Sequence, residues 1–174
     1  MIVFLLILLI LIGVLGWLSY QYYKIMVDEI LFNLVELDKI FENRYNDLTK
    51  AISQFQKYMP EQKNLIFDIQ TSKADVAKTS KPKTTEELKQ KILNENALTI
   101  NLKFLIDKCD FEIIAPELKE HVQKQIDYIQ QISDTAQEYN KKIENYKNIK
   151  NIFPFNYYSK IKGIDLDLDY IKTE

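Results

Sequence analysis

The first residues of the chain form an unbroken apolar segment, and this segment constrains the rest of the fold. Residues 2–18 contain only Ile, Val, Phe, Leu, Gly and Trp, and the first charged side chain is Lys24. Fourteen of these residues are Ile, Val, Leu or Phe, which together favour insertion into a bilayer by about 5 kcal/mol. A helix extended to Tyr23 would be about 33 Å long, close to the ~30 Å hydrocarbon core. The segment therefore predicts a transmembrane anchor over residues 1–23.

Two other interpretations of the segment are left open. A cleaved signal peptide has a basic start and small residues at its cleavage site, whereas here no Lys or Arg precedes Lys24 and the residues around Trp17 are bulky. A buried core helix is the other alternative, and a long uninterrupted apolar run argues against it. The aromatic residues at the end of the segment favour an anchor, because amphipathic rings prefer the headgroup level. These residues are Trp17, Tyr20, Tyr22 and Tyr23.

Basic residues beside the segment predict which side of the membrane the rest of the chain occupies. Lys24, Lys39 and Arg44 follow the segment, and no basic side chain precedes it. Because basic residues are retained on the inner side, this distribution favours the cytoplasm, with the opposite orientation left open. We expect a single-pass protein of the cell membrane whose contact with the lipid bilayer runs through residues 2–23.

Composition favours long helices and excludes several kinds of site. Three Gly and four Pro in 174 residues disfavour a turn-rich all-β fold and a glycine-rich phosphate loop. One Cys and one His exclude an intrachain disulfide and a multi-ligand zinc site. A net charge of −2 gives no sign of the basic surface that binds nucleic acid. We therefore expect no catalytic residue, no cofactor, no metal and no nucleic-acid partner, so the chain is predicted not to be an enzyme.

Apolar side chains recur at helical spacing in four segments after the anchor. From Ile30 to Met59 they recur every three or four residues without an intervening Gly or Pro, so this helix should continue the anchor as one rod. Pro60 and Pro116 suit new helix starts, and the second half of the polar stretch 71–84 is predicted as a loop. The predicted helices cover about residues 24–58, 60–76, 85–109 and 116–151, followed by an aromatic and acidic C-terminal tail over residues 153–174.

The predicted fold class is all-α. The transmembrane helix continues into a long helix of an antiparallel three- to four-helix bundle, because two long helices of similar length enclose a shorter pair. Cys109 falls on the apolar face of the third helix and is predicted to be a small core residue.

Several short motifs resemble those of LemA family proteins. Residues 41–48, Phe-Glu-Asn-Arg-Tyr-Asn-Asp-Leu, resemble the family's Arg-Tyr-x-x-Leu segment, and residues 116–119, Pro-Glu-Leu-Lys, resemble its Pro-Asp-Leu-Lys. Tyr139-Asn140, Tyr146 and Phe153-Pro154 resemble its closing pattern of Tyr-Asn, Tyr-Asn and Phe-Pro. Ala115 and Lys147 stand where the family has Tyr and Asn, which marks a divergent member. The resemblance implies a membrane-anchored helical bundle and supplies no mechanism.

Nine residues are candidates for a structural or interaction role. They are Arg44, Tyr45, Tyr139, Asn140, Tyr146, Phe153, Pro154, Phe155 and Tyr157. The only arginine of the chain, Arg44, could form a buried pair with a carboxylate that fixes helix register, lie solvated at the surface, or bind an anionic ligand. Tyr139 and Tyr146 share a helix face and are expected in the core, with Asn140 bonding across the bundle.

The tail after residue 152 is aromatic and then acidic. The aromatic run of residues 153–158 either covers an open end of the bundle or forms a patch that binds lipid or a partner. The alternating aspartates of residues 165–169 begin like a calcium loop, but Tyr170 stands where that loop requires Gly, so an extended acidic tail is predicted.

The predicted function follows from position and shape. We expect a non-enzymatic interaction or scaffold module that presents a bundle face or its aromatic end to another membrane or envelope protein, with confinement to the membrane raising the effective concentration of partners. Homo-oligomerisation through the apolar stripes is left open. The alternative is a stalk or coiled-coil subunit of a larger membrane complex, which the breaks at Pro60 and Pro116 disfavour.

Overall fold

The computed structural model of this chain describes residues 1–79, 85–110, 112, 114–162 and 170–171. Within these ranges the regular structure is helical and no strand occurs, which confirms the all-α prediction. The elements are α1 (Ile2–Tyr58), a 3-10 turn (Pro60–Gln62), α2 (Lys63–Lys78), α3 (Thr85–Ile106), α4 (Pro116–Ile149) and α5 (Phe155–Lys162).

Helix α1 is continuous from the apolar segment into the rest of the molecule. Its 57 residues give a length of about 85 Å, and there is no break between Tyr23 and Ile30. Side chains of residues 1–15 are exposed, and the buried face begins at Tyr23. The helix ends where Pro60 follows, with Met59 at φ −131° and ψ 55°, because the residue before a proline avoids helical dihedrals. The predicted continuation of the apolar segment into one long helix is confirmed.

Helix α4 runs antiparallel to α1 along most of the length that α1 has after Tyr23. The residue numbers of contacting partners rise on α1 as they fall on α4, so the two helices stay in one register. Three of the polar contacts show this: Lys142 Nζ to Asn33 Oδ1 at 3.3 Å, the Tyr128 hydroxyl to Asp47 Oδ2 at 2.6 Å, and the Tyr58 hydroxyl to Glu117 Oε2 at 3.5 Å.

Helices α2 and α3 form a second antiparallel pair against the far part of α1. The amide of Asn101 donates to Ser72 Oγ at 3.0 Å, and that of Asn94 donates to the Asp75 carbonyl at 3.1 Å. The core accordingly has two parts, which we name by their distance from the apolar segment. The far part, from Leu48 of α1 onward, joins helices α1 to α4. The near part, between Tyr23 and Phe41 of α1, joins α1 and α4 with Ile171 of the tail.

Helix boundaries differ from the predicted ones by a few residues. The second helix opens as a 3-10 turn and ends at Lys78 rather than residue 76, and α4 ends at Ile149 rather than 151. Helix α3 ends at Ile106 rather than 109, because the Cys109 N–H bonds to the Ile106 carbonyl at 2.9 Å and tightens the chain into a turn. Cys109 is still buried, as predicted. Residues 80–84 of the predicted loop lie outside the described residues.

The tail contains a helix that the sequence did not predict. The Phe153–Pro154 peptide bond is cis, and α5 follows, with the Tyr157 N–H bonded to the Pro154 carbonyl at 3.1 Å. At eight residues, α5 makes about two turns, too few for periodicity to be read. The predicted acidic tail over residues 165–169 lies outside the described residues.

Candidate functional site

Arg44 is the most constrained polar residue of the described chain. It lies on the buried face of α1 and is fully buried. Its Nη2 pairs with the carboxylate of Glu95 on α3, and its Nη1 donates to Thr99 Oγ1 at 2.6 Å. The guanidinium carbon stands 5.7 Å from the ring centre of Phe41. The buried-pair interpretation of Arg44 matches this geometry, although one guanidinium nitrogen rather than two reaches the carboxylate.

Burial opposes the charges of this pair. Desolvation lowers the pKa of the Arg44 guanidinium, and the nearby Glu95 opposes that shift. Desolvation also raises the pKa of the Glu95 carboxyl, and Arg44 opposes it. Arg44 Nε is buried and has no hydrogen-bond acceptor among the described residues. Because removing one partner would leave a buried charge uncompensated, the pair ties α1 and α3 to one relative position.

A second ion pair lies beside the first, at the mouth of a cleft. Lys91 on α3 is buried and pairs with the more exposed Asp38 on α1. The cleft has a volume of about 380 Å³, and its lining residues are Asp38, Phe41, Glu42, Tyr45, Asn46, Val76, Ala77, Lys91 and Glu95. Its lysine is engaged with a carboxylate of the same cleft, an arrangement that suits helix positioning better than capture of an anion.

Sequence reasoning named Arg44 but missed Glu95 and Lys91. A signal existed, because the apolar stripe predicted for the third helix passes from Ile92 directly to Leu98. Glu95 occupies the position on that face where an apolar residue would be expected. A charged side chain at a core position of a helix needs a partner that compensates its charge. Tyr45, the neighbour of Arg44, is half-buried, and its ring centre lies 4.6 Å from the ammonium of Lys73.

The candidates on α4 lie where the near part of the core meets the tail. Tyr139 and Tyr146 are fully buried, as predicted. Asn140 does not bond to another long helix. Its Nδ2 donates to the carbonyl of Ile171 and its Oδ1 accepts the N–H of Ile171, both at 2.7 Å. The amide therefore holds the tail backbone, and the Ile171 side chain is buried against α1 and α4.

The aromatic candidates after α4 separate into two sets. Phe155 packs on the end of the apolar segment, 6.5 Å from Tyr23 between ring centres. Pro154 is half-buried. Phe153 and Tyr157 point outward, with exposed fractions of 82% and 60%. The run thus forms both a cover for the near end and an exposed patch, which were predicted as alternatives.

Cys109 is a core thiol. Burial raises its pKa to about 11, and its Sγ lies 3.5 Å from Met59 Sδ. Among the described residues there is no group of three or more His, Cys, Asp or Glu that could hold a metal ion. The raised pKa leaves little thiolate at neutral pH, so the sulfur has the character of an inert packing atom.

Helix α1 is the element suited to cross a membrane in the part of the chain that the structure describes. An 18-residue window near its start has a mean hydropathy of 3.0, and none of that window is buried. A membrane anchor and a signal sequence both satisfy these criteria.

Comparison of the chain with protein-family models, with curated proteins and with solved structures finds no match.

Proposed function

We propose that the chain is a membrane-anchored helical-bundle protein of LemA type that acts as a non-enzymatic interaction or scaffold module at the cell membrane. Residues 2–23 cross the bilayer once, and the rest of α1 carries an antiparallel bundle. One observation carries the proposal: a single helix passes from side chains that are exposed, up to residue 15, into the packed core that begins at Tyr23.

Pairing directions support the bundle. Helix α4 returns along α1, and α2 and α3 run in opposite directions against its far part. Four helices share the far core, and the near core is a two-helix layer sealed by Ile171. The order of elements also supports the LemA type, since an apolar start, a long helix, two helices after the polar stretch 71–84 and an aromatic tail follow one another, as in the family that the motifs resemble.

The polar groups support a non-enzymatic role. The buried guanidinium of Arg44 is held by Glu95 and Thr99, and Lys91 is held by Asp38. Groups neutralised by their neighbours serve to position helices, whereas an acid–base site needs a titratable group directed at a substrate.

An exposed apolar stripe on α3 supports an interaction role. Leu93, Ile100 and Phe104 are exposed, and their spacings of seven and four place them on one side of the helix. Large apolar side chains gathered on an exposed face mark contact surfaces. We assign this stripe to a membrane or envelope protein, because the anchor would hold both partners in the same plane and raise their effective concentration.

Photo-crosslinking in intact membranes tests the interaction role. A photoreactive amino acid replaces Phe104, and in a second variant it replaces Lys141, an exposed residue of α4. The proposal expects a reproducible protein adduct from position 104 and none of that mass from position 141. The adduct should disappear when Leu93→Ser and Ile100→Ser are introduced in the 104 variant. Adducts with lipid alone, or a protein adduct that survives those substitutions, would contradict it.

Arg44, although a candidate from the sequence, is unsuited to such a crosslinker because it is fully buried.

The second candidate function is a stalk or coiled-coil subunit of a larger membrane complex. The 57 residues of α1 favour it, since a helix of about 85 Å could bridge distant parts of an assembly. The return of α4 along α1 disfavours it, because the apolar stripe that a stalk would offer to a partner helix is already covered. The hydrodynamic radius in detergent separates the two: a compact particle supports the bundle, and an elongated one supports the stalk.

A further inference from the structure

The chain returns to the end of its apolar segment. Because α4 is antiparallel to α1, its last turns lie beside the level where α1 leaves that segment, and Tyr146 stands 6.1 Å from Tyr23 between ring centres. The turn after Ile149 and the following helix α5 therefore lie at the near end of the molecule. We call residues 150–158 the elbow.

The inner side of the elbow is attached to α1 itself. The Tyr158 hydroxyl donates to the carbonyl of Gly16 at 2.7 Å, and its ring packs edge-on against Tyr20 at 5.5 Å. Phe155 packs edge-on against Tyr22 at 6.1 Å. A hydrogen bond and four aromatic contacts, two of them to Tyr23, thus fix the elbow to α1 between Gly16 and Tyr23.

The outer side of the elbow is apolar and uncovered. Ile152, Phe153 and Tyr157 are all exposed, and so are Trp17 and Tyr22 of α1 at the same level. We refer to these exposed side chains together as the patch, which lies at the end of the exposed apolar segment to which the elbow is attached.

The level of this patch along α1 identifies what covers it. At ~1.5 Å per residue, Gly16 lies about 21 Å and Tyr23 about 32 Å beyond Ile2. A hydrocarbon core of ~30 Å that begins at Ile2 therefore ends between them, at the level where the elbow is attached. Aromatic side chains with a polar edge favour this boundary between acyl chains and headgroups.

We propose that the elbow is a second membrane-binding site, in which Phe153 and Tyr157 insert into the headgroup layer beside the anchor. The occupant of the patch is the lipid surface, because the patch lies at the end of the apolar span and shares its level. The inference rests on the proposed function, since it requires that residues 2–23 cross the bilayer. Binding is of the interfacial kind, in which buried apolar area determines affinity.

The consequence is orientational. A lone helix can tilt and rotate in a bilayer, whereas a rod held at two points cannot rotate freely about its own axis. Attachment of the elbow would set the height of the bundle above the bilayer and the direction in which the α3 stripe faces.

Depth-dependent quenching by brominated phospholipids tests the proposal with the full-length chain in phosphatidylcholine vesicles. Trp17 is the only tryptophan, so Trp17→Phe provides a silent background in which Phe153→Trp or Tyr157→Trp introduces a single reporter. The matched control is Phe104→Trp, because Phe104 is an aromatic with 57% exposure. Helix α3 pairs with Arg44 through Glu95 and runs onward away from the anchor, so position 104 is more than about 30 Å beyond Tyr23.

The expected result is strong quenching at positions 153 and 157, at least about threefold greater with bromines near the headgroup than with bromines near the acyl ends, and no quenching at position 104. Quenching at both elbow positions no greater than at position 104 would overturn the elbow proposal. Trp17 of the unsubstituted chain separates the two claims. If Trp17 is quenched while the elbow reporters are not, the anchor stands and the elbow fails. If Trp17 is not quenched, both fail.

Discussion

At the scale of single residues, the buried ion pair between Arg44 and Glu95 is the feature with the largest expected effect on stability. Both groups are buried, so each has lost hydration that its partner replaces in part, with Thr99 as a further acceptor for Arg44. A pair of this kind adds little net stability compared with apolar side chains of similar volume, but it strongly penalises any arrangement that separates its members. The pair therefore fixes the position of α3 relative to α1 more than it adds to stability.

Removing one charge of this pair should be costly. We expect Glu95→Gln to reduce the free energy of unfolding by about 3–5 kcal/mol, because Arg44 would be left buried without a counter-charge. Glu42→Gln is the control, since Glu42 is an exposed carboxylate of the same cleft. Urea unfolding in mild detergent, monitored by the far-UV circular dichroism of the helices, measures the free energy of unfolding of both variants.

The double substitution Arg44→Met with Glu95→Leu should recover most of that loss, because no unpaired charge stays in the core. An equal loss in the Glu42 and Glu95 variants, or a double variant as unstable as the single one, would show that the pair does not have this role.

Cys109 provides a prediction about pH. Its pKa is raised from 9.0 to about 11 by burial, so the neutral thiol persists to higher pH in the folded chain than in the unfolded chain. At pH 8 the thiolate fraction is then about 100-fold smaller in the folded chain. Alkylation by iodoacetamide, followed by mass spectrometry, should be slower by at least that factor before unfolding. Similar rates in the two states would contradict the burial of Cys109.

A single residue can be identified from the sequence when it is the only one of its type. Its partner in the folded chain cannot be identified in this way. Arg44 could be singled out because it is the only arginine. Its partner could not be named, since 25 acidic residues offer many candidates and their distances depend on how helices pack. Asn140 was identified as a hydrogen-bonding residue, but its partner, Ile171, comes from a tail with no periodic pattern.

At the scale of elements, α1 is the helix that joins the exposed apolar segment to the packed core. Its continuity was predictable, because no Gly or Pro stands between Gly16 and Pro60 and the apolar spacing stays helical. The starts of the 3-10 turn at Pro60 and of α4 at Pro116 were predictable from local sequence, because proline suits the first turn of a helix. Helix α5 was not, because its position depends on contacts with Tyr22 and Tyr23, which are distant in sequence.

Amide hydrogen exchange in lipid tests the continuity of α1. We expect amides of residues 24–30 to be protected, because a continuous helix bonds each of them to the carbonyl four residues earlier. The Glu61 amide, which follows Pro60 in the exposed turn after α1, is the internal control and should exchange faster. Rapid exchange between Tyr23 and Ile30 would indicate a hinge, and the anchor would then be a flexible tether.

The attachment of the C-terminal tail to α4 through Asn140 provides a second prediction at this scale. Asn140→Leu removes both hydrogen bonds to the Ile171 backbone. If the attached state of the tail loses about 1.4 kcal/mol, the equilibrium between attached and detached tail shifts tenfold. We expect the Ile171 amide to exchange at least about tenfold faster in this variant. Gln130→Leu is the control, because Gln130 is an exposed residue of α4. Equal exchange in the two variants would show that Asn140 does not hold the tail.

At the scale of the whole molecule, the arrangement follows from apolar stripes that satisfy one another. The stripe of α1 after Tyr23 is covered by α4 and, in its far part, by α2 and α3. Sequence periodicity predicts such stripes but not which ones meet, and it cannot identify a partner outside the chain. The side of the membrane that the bundle occupies stays a prediction from Lys24, Lys39 and Arg44.

Oligomeric state tests whether the stripes are satisfied within one chain. We expect the full-length protein in detergent to be a monomer, because the long apolar faces of α1 and α4 are buried against each other. Multi-angle light scattering with subtraction of detergent mass measures this. An obligate dimer at all concentrations would indicate that the exposed stripe of α3 or the near part of α1 pairs between chains.

The central claim is that the apolar start of α1 is a permanent anchor that continues into the helical region, rather than a segment removed after targeting. The intact mass of the protein extracted by detergent from alkaline-washed membranes tests it most directly. We predict a chain that stays with the washed membranes and whose mass includes residues 2–18. A chain that lacks those residues and is released into the alkaline supernatant would contradict it.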